Sequence, residues 1–209
     1  MQEQWYGDKR DLVKWASIVY LARECDASRI IQVPFSHGDT QPWEKCRLLK
    51  GESIEVPFPQ EVWDHFRNLE GIKNLGGRIG IPIDVFTSSW TRKTRDQYVT
   101  ELGDFLERFA GTRLIVFLDP DTGIEPQKGD LKHVKKCEIK AIYTALNPGD
   151  CLVFYQHSRR TKNWIKDTRN SLTLAIVPRQ KVQTLLYKGK SSAFAKDVAF
   201  HFVKKPRTC

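Results

Sequence analysis

Two uninterrupted apolar runs, Arg113–Leu118 (RLIVFL) and Cys151–Tyr155 (CLVFY), constrain this chain more than any other feature. A strand with one wet face alternates apolar and polar residues. A continuous run is buried on both faces, which happens when helices cover both sides of a parallel sheet. Between such runs lie segments of helical period. Residues 8–24 place Leu12, Val13, Ala16, Val19 and Tyr20 on one face, and residues 94–109 place Tyr98, Leu102, Phe105, Leu106 and Phe109 at spacings of three and four. A third helix carries Val134, Cys137, Ala141, Ile142, Ala145 and Leu146 and stops at Asn147-Pro148-Gly149. Strands alternating with helices predict an α/β fold, a three-layer α/β/α sandwich around a largely parallel central sheet.

The remaining segments fill in this frame. Residues 29–35 (RIIQVPF) and 81–86 (IPIDVF) read as strands, and 61–69 as a helix. The glycine-rich stretch 75–80 reads as a turn. Residues 172–177 and 182–187 read as two final strands in a hairpin, followed by an amphipathic helix near 193–203. Without a linker or repeat, the 209 residues are expected to form a single domain.

Charge divides the chain unevenly. Residues 1–150 hold 21 Lys and Arg against 23 Asp and Glu, whereas residues 151–209 hold 13 against 2. In that last third the cations are interleaved with Trp164, Phe194, Phe200 and Phe202, the pattern of a folded basic face and not of a disordered tail. The expected partner is DNA, or RNA. No apolar run nears the roughly 20 residues that span a bilayer, and no apolar leader opens the chain, so no membrane is expected and the predicted location is cytoplasmic. Five scattered cysteines without a CxxC pair predict reduced thiols, with no disulfide framework and no zinc site.

Ligands of parallel sheets sit beyond the carboxyl ends of the strands. That rule selects three loops: 36–41, 119–125 and 156–160. Asp119 and Asp121 follow a doubly buried strand, where acids are held rigidly and can polarise water or stabilise a cation, although Asp-Pro-Asp-Thr-Gly also has turn chemistry. His157 can serve as general acid or base, with Gln156, Arg159 and Arg160 beside it and Lys162 and Trp164 just beyond. Asp8 at the start of the first helix is a further catalytic candidate as well as a cap; Arg10 and Lys14 share a helix face, and Tyr6 precedes them as a stacking platform. Ser36 and His37 complete the expected nucleic-acid-binding set. Pro120-Asp121 with Glu138-Ile139-Lys140 has the form of a metal nuclease signature, but that chemistry needs the Glu-x-Lys on a strand, and this segment has helical period.

Together, Tyr6-Gly7-Asp8, Asp11, Lys14-Trp15, Phe117 to Gly123 (FLDPDTG) and Tyr155-Gln156-His157 resemble a prokaryotic family marked by YxGDxxDxxK, FLDPDxG and YQH motifs, which brings no settled activity. The layout is also similar to the adenine-N6 methyltransferases, where a DPPY strand end holds the target base. That resemblance puts Asp119 in the place of the catalytic acid and keeps Pro120. Asp121 stands where the second proline belongs, and Val33-Pro34-Phe35-Ser36-His37 stands where a glycine-rich cofactor loop belongs. More loosely, the layout is similar to uracil-DNA-glycosylase-type folds, which pair a strand-end acid with a later histidine.

With the glycine loop missing, the expectation is a DNA glycosylase, a hydrolase that removes a base, plausibly modified, in phage defence, with Asp119 or Asp121 stabilising the oxocarbenium-like state beside His157 and with neither metal nor cofactor. The alternatives are an S-adenosylmethionine-dependent nucleic-acid methyltransferase, a metal-dependent nuclease and a non-catalytic nucleic-acid-binding protein.

Overall fold

A computed structural model describes residues 9–35, 46–47, 55–56, 69–126, 131–176, 180–186 and 197–207. In chain order the elements are α1 (Lys9–Glu24), β1 (Arg29–Val33), β2 (Cys46–Arg47), β3 (Glu55–Val56), a 3-10 turn (Leu69–Ile72), α2 (Lys73–Ile79), β4 (Ile83–Val85) and α3 (Arg95–Glu107). They continue with β5 (Leu114–Leu118), β6 (Gly123–Ile124), β7 (His133–Val134), α4 (Lys136–Ala145), β8 (Cys151–His157), α5 (Trp164–Ala175), β9 (Gln183–Leu185) and β10 (Val198–Lys204).

The central sheet has six strands in the order β4-β1-β5-β8-β10-β9. The first four are parallel, and β10 runs antiparallel between β8 and β9. The registers Val33↔Leu118 and Leu118↔Phe154 bring the carboxyl ends of β1, β5 and β8 to one edge. All five residues of β5 are buried, as its continuous apolar run predicts, and burial of each such side chain contributes about 1.5–3 kcal/mol.

On one face, Trp15, Ile18, Leu21 and Ala22 of α1 pack on Ile30, Ile115, Phe117 and Val153, with Leu75 and Ile79 of α2 beside them. On the other, Tyr98, Leu102 and Leu106 of α3, Ile139 and Ile142 of α4 and Leu172 of α5 cover Ile31, Val116, Leu118 and Phe154. The fold is the expected α/β sandwich, with a largely parallel sheet between two helical layers. None of the described helices is long and apolar enough to cross a membrane.

Four local expectations are corrected. Residues 172–177 belong mainly to helix α5: the alternation of Leu172, Leu174 and Ile176 mimics a strand, but Thr168, Leu172 and Ala175 bury at helical spacing while Leu174 projects into solvent. In place of a terminal helix the chain forms β10, whose Val198, Ala199, Phe200 and His201 are all buried. Residues 73–79 are helix α2 and not a turn, because a Cβ at Gly76 would lie 2.9 Å from Ile83 N and 3.0 Å from Ile81 O, so only glycine lets the helix approach β4 this closely. On α1, Ala16 and Tyr20 are exposed and the buried stripe runs through Lys14, Trp15, Ile18 and Leu21, so the core face is rotated from the expected one. The helix expected at 61–69 lies almost wholly outside the described residues.

Among the described residues Cys25, Cys137 and Cys151 are free thiols. Cys25 and Cys151 hydrogen-bond each other near the amino ends of the strands, which brings the Cys25 thiol down to about 7 and pushes that of Cys151 up.

Candidate functional site

The sheet places its ligand crevice by topology. From β1 the chain winds to β4 on one side, then returns to β5 on the other, so the winding reverses between β1 and β5; beyond the carboxyl ends of these strands is where doubly wound sheets bind ligands. Asp119 occupies that point. Its N–H donates to Val33 O at 2.9 Å, extending the β1–β5 ladder by one residue.

The Asp119 carboxylate is almost wholly buried on the α1 side of the sheet. Oδ2 accepts from Lys14 Nζ at 3.1 Å and from Gln32 Nε2 at 3.2 Å. Oδ1 accepts from no described residue. Lys14 and Gln32 are themselves 5% and 0% exposed, so a complete ion pair lies beneath α1. Gln32 Oε1 has no hydrogen-bond partner. Exchanging the Gln32 amide atoms would set an oxygen against the carboxylate, so the orphan is an acceptor in the arrangement that satisfies Asp119.

Next to this group, the Lys14 ammonium lies 4.8 Å from the centre of the Tyr155 ring. Tyr155 Oη and His157 Nε2 are 3.1 Å apart, and the two rings meet edge-on with centroids at 5.0 Å. His157 Nδ1 is 3.9 Å from Asp197 Oδ2. Gln32, Asp119, Lys14, Tyr155, His157 and Asp197 therefore form one polar chain along the carboxyl-end rim. His157 is the last residue of β8, and its strand is two residues longer than the apolar run suggests.

The loop after Asp119 is braced from the opposite face of β8. Gln156 Oε1 accepts from Ile124 N at 2.9 Å, and its Nε2 donates to Thr122 O at 3.0 Å and His157 O at 2.7 Å. Arg159 donates to Ile124 O; burial lowers its pKa, with Asp167 opposing the shift. The Gln156 amide is thus spent on shaping the loop. Gly123, at φ 113°, packs so closely against it that a Cβ would overlap the Gln156 carboxamide. Pro120 is buried and Asp121 half-buried on this loop, while Arg160 and Lys162 are exposed and Trp164 is half-buried at the first position of α5.

Asp8, Tyr6, Ser36 and His37 lie outside the described residues, as does the Arg10 side chain. Glu138 sits on helix α4, not on a strand, and its carboxylate is locked against Arg95 and the Lys135 N–H on the face of the sheet opposite α1. Among the described residues no three His, Cys, Asp or Glu side chains cluster as metal ligands. His201 is a buried strut, with Thr168 Oγ1 at 2.8 Å and Thr184 Oγ1 at 2.9 Å; burial, helped by Arg169, pushes its pKa down to about 4.

Three residues of the cluster are not among the expected site residues: Gln32, Asp197 and Tyr155, although the last opens the Tyr155-Gln156-His157 motif. Gln32 leaves a signal, as the one polar residue inside the apolar strand RIIQV. Tyr155 reads as an ordinary strand aromatic, and Asp197 is one of only two acids in the basic third.

No family model and no curated protein matches the chain. Among solved structures the chain is similar to a candidate methyltransferase of Thermobifida fusca YX, with a TM-score of 0.46 and 11% identity over 95% of this chain and 81% of that one. The expectation of a glycosylase hydrolysing DNA in phage defence finds no support in these comparisons; the solved structure named here is described as a methyltransferase. The geometry gives a physical reason against it: the Asp119 carboxylate already faces the Lys14 ammonium, so its charge is largely offset before an oxocarbenium-like state could draw on it.

Proposed function

We propose that the chain is an S-adenosylmethionine-dependent methyltransferase whose acceptor is an amino nitrogen of a nucleic acid. The observation that carries this reading is the orphaned acceptor Gln32 Oε1, on a side chain hydrogen-bonded to Asp119, whose Oδ1 is likewise unused by any described residue. An unsatisfied buried acceptor costs about 1–3 kcal/mol. At the switch point of a doubly wound sheet that cost has a use, because two acceptor oxygens on touching side chains match a ligand group rich in N–H donors.

The described residues fit the cofactor at one telling position. Phe35 adopts φ 52°, the left-handed turn that a glycine fingerprint ordinarily makes, directly after β1. A side chain there costs about 1–2 kcal/mol, and the chain bears it while seating the Phe35 ring against Tyr98 at 5.4 Å. The hydroxyls of Thr87 and Ser88 past β4 would hold the cofactor, which supplies an electrophilic sulfonium methyl group when bound.

The chain's own residues do the rest. Lys14 holds the Asp119 carboxylate by Oδ2, Asp119 accepts the amine N–H on Oδ1 and thereby aligns the nitrogen lone pair, and the buried setting strengthens both interactions by excluding water. The basic third supports a polyanionic substrate, since Arg160 and Lys162 are exposed just past β8 on the same rim as Asp119.

Two measurements test this. S-adenosylmethionine at saturating concentration should raise the melting temperature, and labelled methyl groups should pass to oligonucleotides bearing adenine or cytosine with the wild type but not with Asp119→Asn. A protein that neither gains thermal stability nor transfers label refutes the reading.

A further inference from the structure

We propose that Tyr155 is a positioning residue for Asp119: the face of its ring seats the Lys14 ammonium on Oδ2, and His157 with Asp197 holds that ring in place. What the seat is for rests on the methyltransferase reading; the seat itself does not.

The geometry supplies each part. Lysine is a flexible stem ending in a compact charge with three donors, so a carboxylate alone leaves it free to exchange between the two oxygens. In this structure the Lys14 ammonium has a second surface, the π face of Tyr155 at 4.8 Å, while it donates to Asp119 Oδ2 at 3.1 Å. A cation between a carboxylate and an aromatic face in a desolvated place is held from two sides. The Gln32 amide reinforces the choice by donating to the same oxygen at 3.2 Å. Oδ1 is thereby kept for the substrate.

The ring that forms this seat is fixed in turn. Phe200 packs on it with centroids 5.7 Å apart and tilted by 57°, while His157 meets it edge-on at 85° and 5.0 Å. The hydroxyl is tied to His157 Nε2 at 3.1 Å, and Asp197 approaches the other ring nitrogen at 3.9 Å. His157 therefore acts on the reaction through Tyr155. Tyr155 and His157 come from β8, and Asp197 immediately precedes its antiparallel neighbour β10, whose register sets Val198 opposite His157 and Phe200 opposite Tyr155.

The experiment uses the full chain without added ligand, with lysine labelled for NMR. Protons beneath an aromatic face resonate upfield, so the Lys14 ε-methylene signal should stand apart from those of the exposed lysines. It should stay there in Tyr155→Phe, which keeps the ring, and collapse onto the others in Tyr155→Leu. Transfer to an oligonucleotide by Tyr155→Phe should remain within about threefold of wild type, whereas Tyr155→Leu should lose at least tenfold in kcat with KM little changed. Asp197→Asn, like the lost hydroxyl of Tyr155→Phe, should broaden the Lys14 signal without returning it to the ordinary lysine position.

A wild-type Lys14 signal at the ordinary lysine position overturns the proposal, and so does equal behaviour of the Phe and Leu variants. Should Tyr155→Leu fail to fold, the wild-type and Tyr155→Phe spectra decide alone, since the shifted signal must be present in both. A shifted Lys14 signal in a protein that binds no S-adenosylmethionine would remove the methyltransferase reading and leave the seat standing.

Discussion

Lys14 and Asp119, 105 positions apart in the chain, show how a single buried pair can join a site to its fold. Removing one member of a buried ion pair strands the other, which costs about 3–5 kcal/mol. Lys14→Met should therefore lower the unfolding free energy by about that amount in urea titrations, even though methionine replaces most of the lysine stem. Adding Asp119→Asn should recover part of the loss, because no unpaired charge is then buried; a double variant as unstable as the sum of the singles would show that the two side chains do not interact. A second residue-scale outcome concerns Gly123. Alanine there meets both a positive φ and the Gln156 carboxamide, and should cost about 2 kcal/mol or more while weakening the brace on the Asp119 loop. Denaturation of Gly123→Ala measures the first effect, and loss of methyl transfer beyond that of a similarly destabilised core variant measures the second.

At the scale of elements, α5, β10 and β9 are clamped by the buried His201 between two threonine hydroxyls. Its pKa stands at about 4 in the fold against about 6.5 in an unfolded chain, so the unfolded state binds the extra proton between these values. Stability should then be complete above pH 6.5 and decline as pH falls towards 4, by roughly 3 kcal/mol from this group. Urea unfolding at pH 7, 5.5 and 4.5 checks it: His201→Gln should flatten the slope over that window, and an unchanged slope would remove His201 as the cause. The same elements show where periodicity misleads. In α5 the exposed Leu174 completes a false strand alternation, and in α1 a buried lysine hides the true core face. On α3 the pattern is faithful, because Tyr98, Leu102 and Leu106 bury as their spacing predicts, with Arg95 joining the buried stripe at the helix start.

For the whole molecule, the governing asymmetry is electrical: nearly neutral through residue 150, strongly cationic after it. If the basic third grips a nucleic-acid backbone, reversing charge at Arg160 and Lys162 should weaken oligonucleotide binding about tenfold or more near 100 mM salt and reduce the slope of log affinity against log salt, with the melting temperature unchanged. Fluorescence anisotropy over a salt series reads both. An unaltered slope would move the contact surface elsewhere on the chain.

Composition and pattern alone determined the class of fold, the two central strands and the strand-end position of Asp119 and His157, since continuous apolar runs can be buried only between two helical layers and strand ends are where such sheets place their chemistry. Motif order also marked Lys14 and the Asp-Pro loop. Only the tertiary structure decided that Lys14 reaches Asp119, that Gln32 keeps an unpaired oxygen beside it, and that Gln156 shapes the loop while Tyr155 and Asp197 join the site. Those are contacts between elements distant in sequence, set by strand register and by which face each side chain takes, and a shift of one residue in a strand would send its side chains to the other side of the sheet.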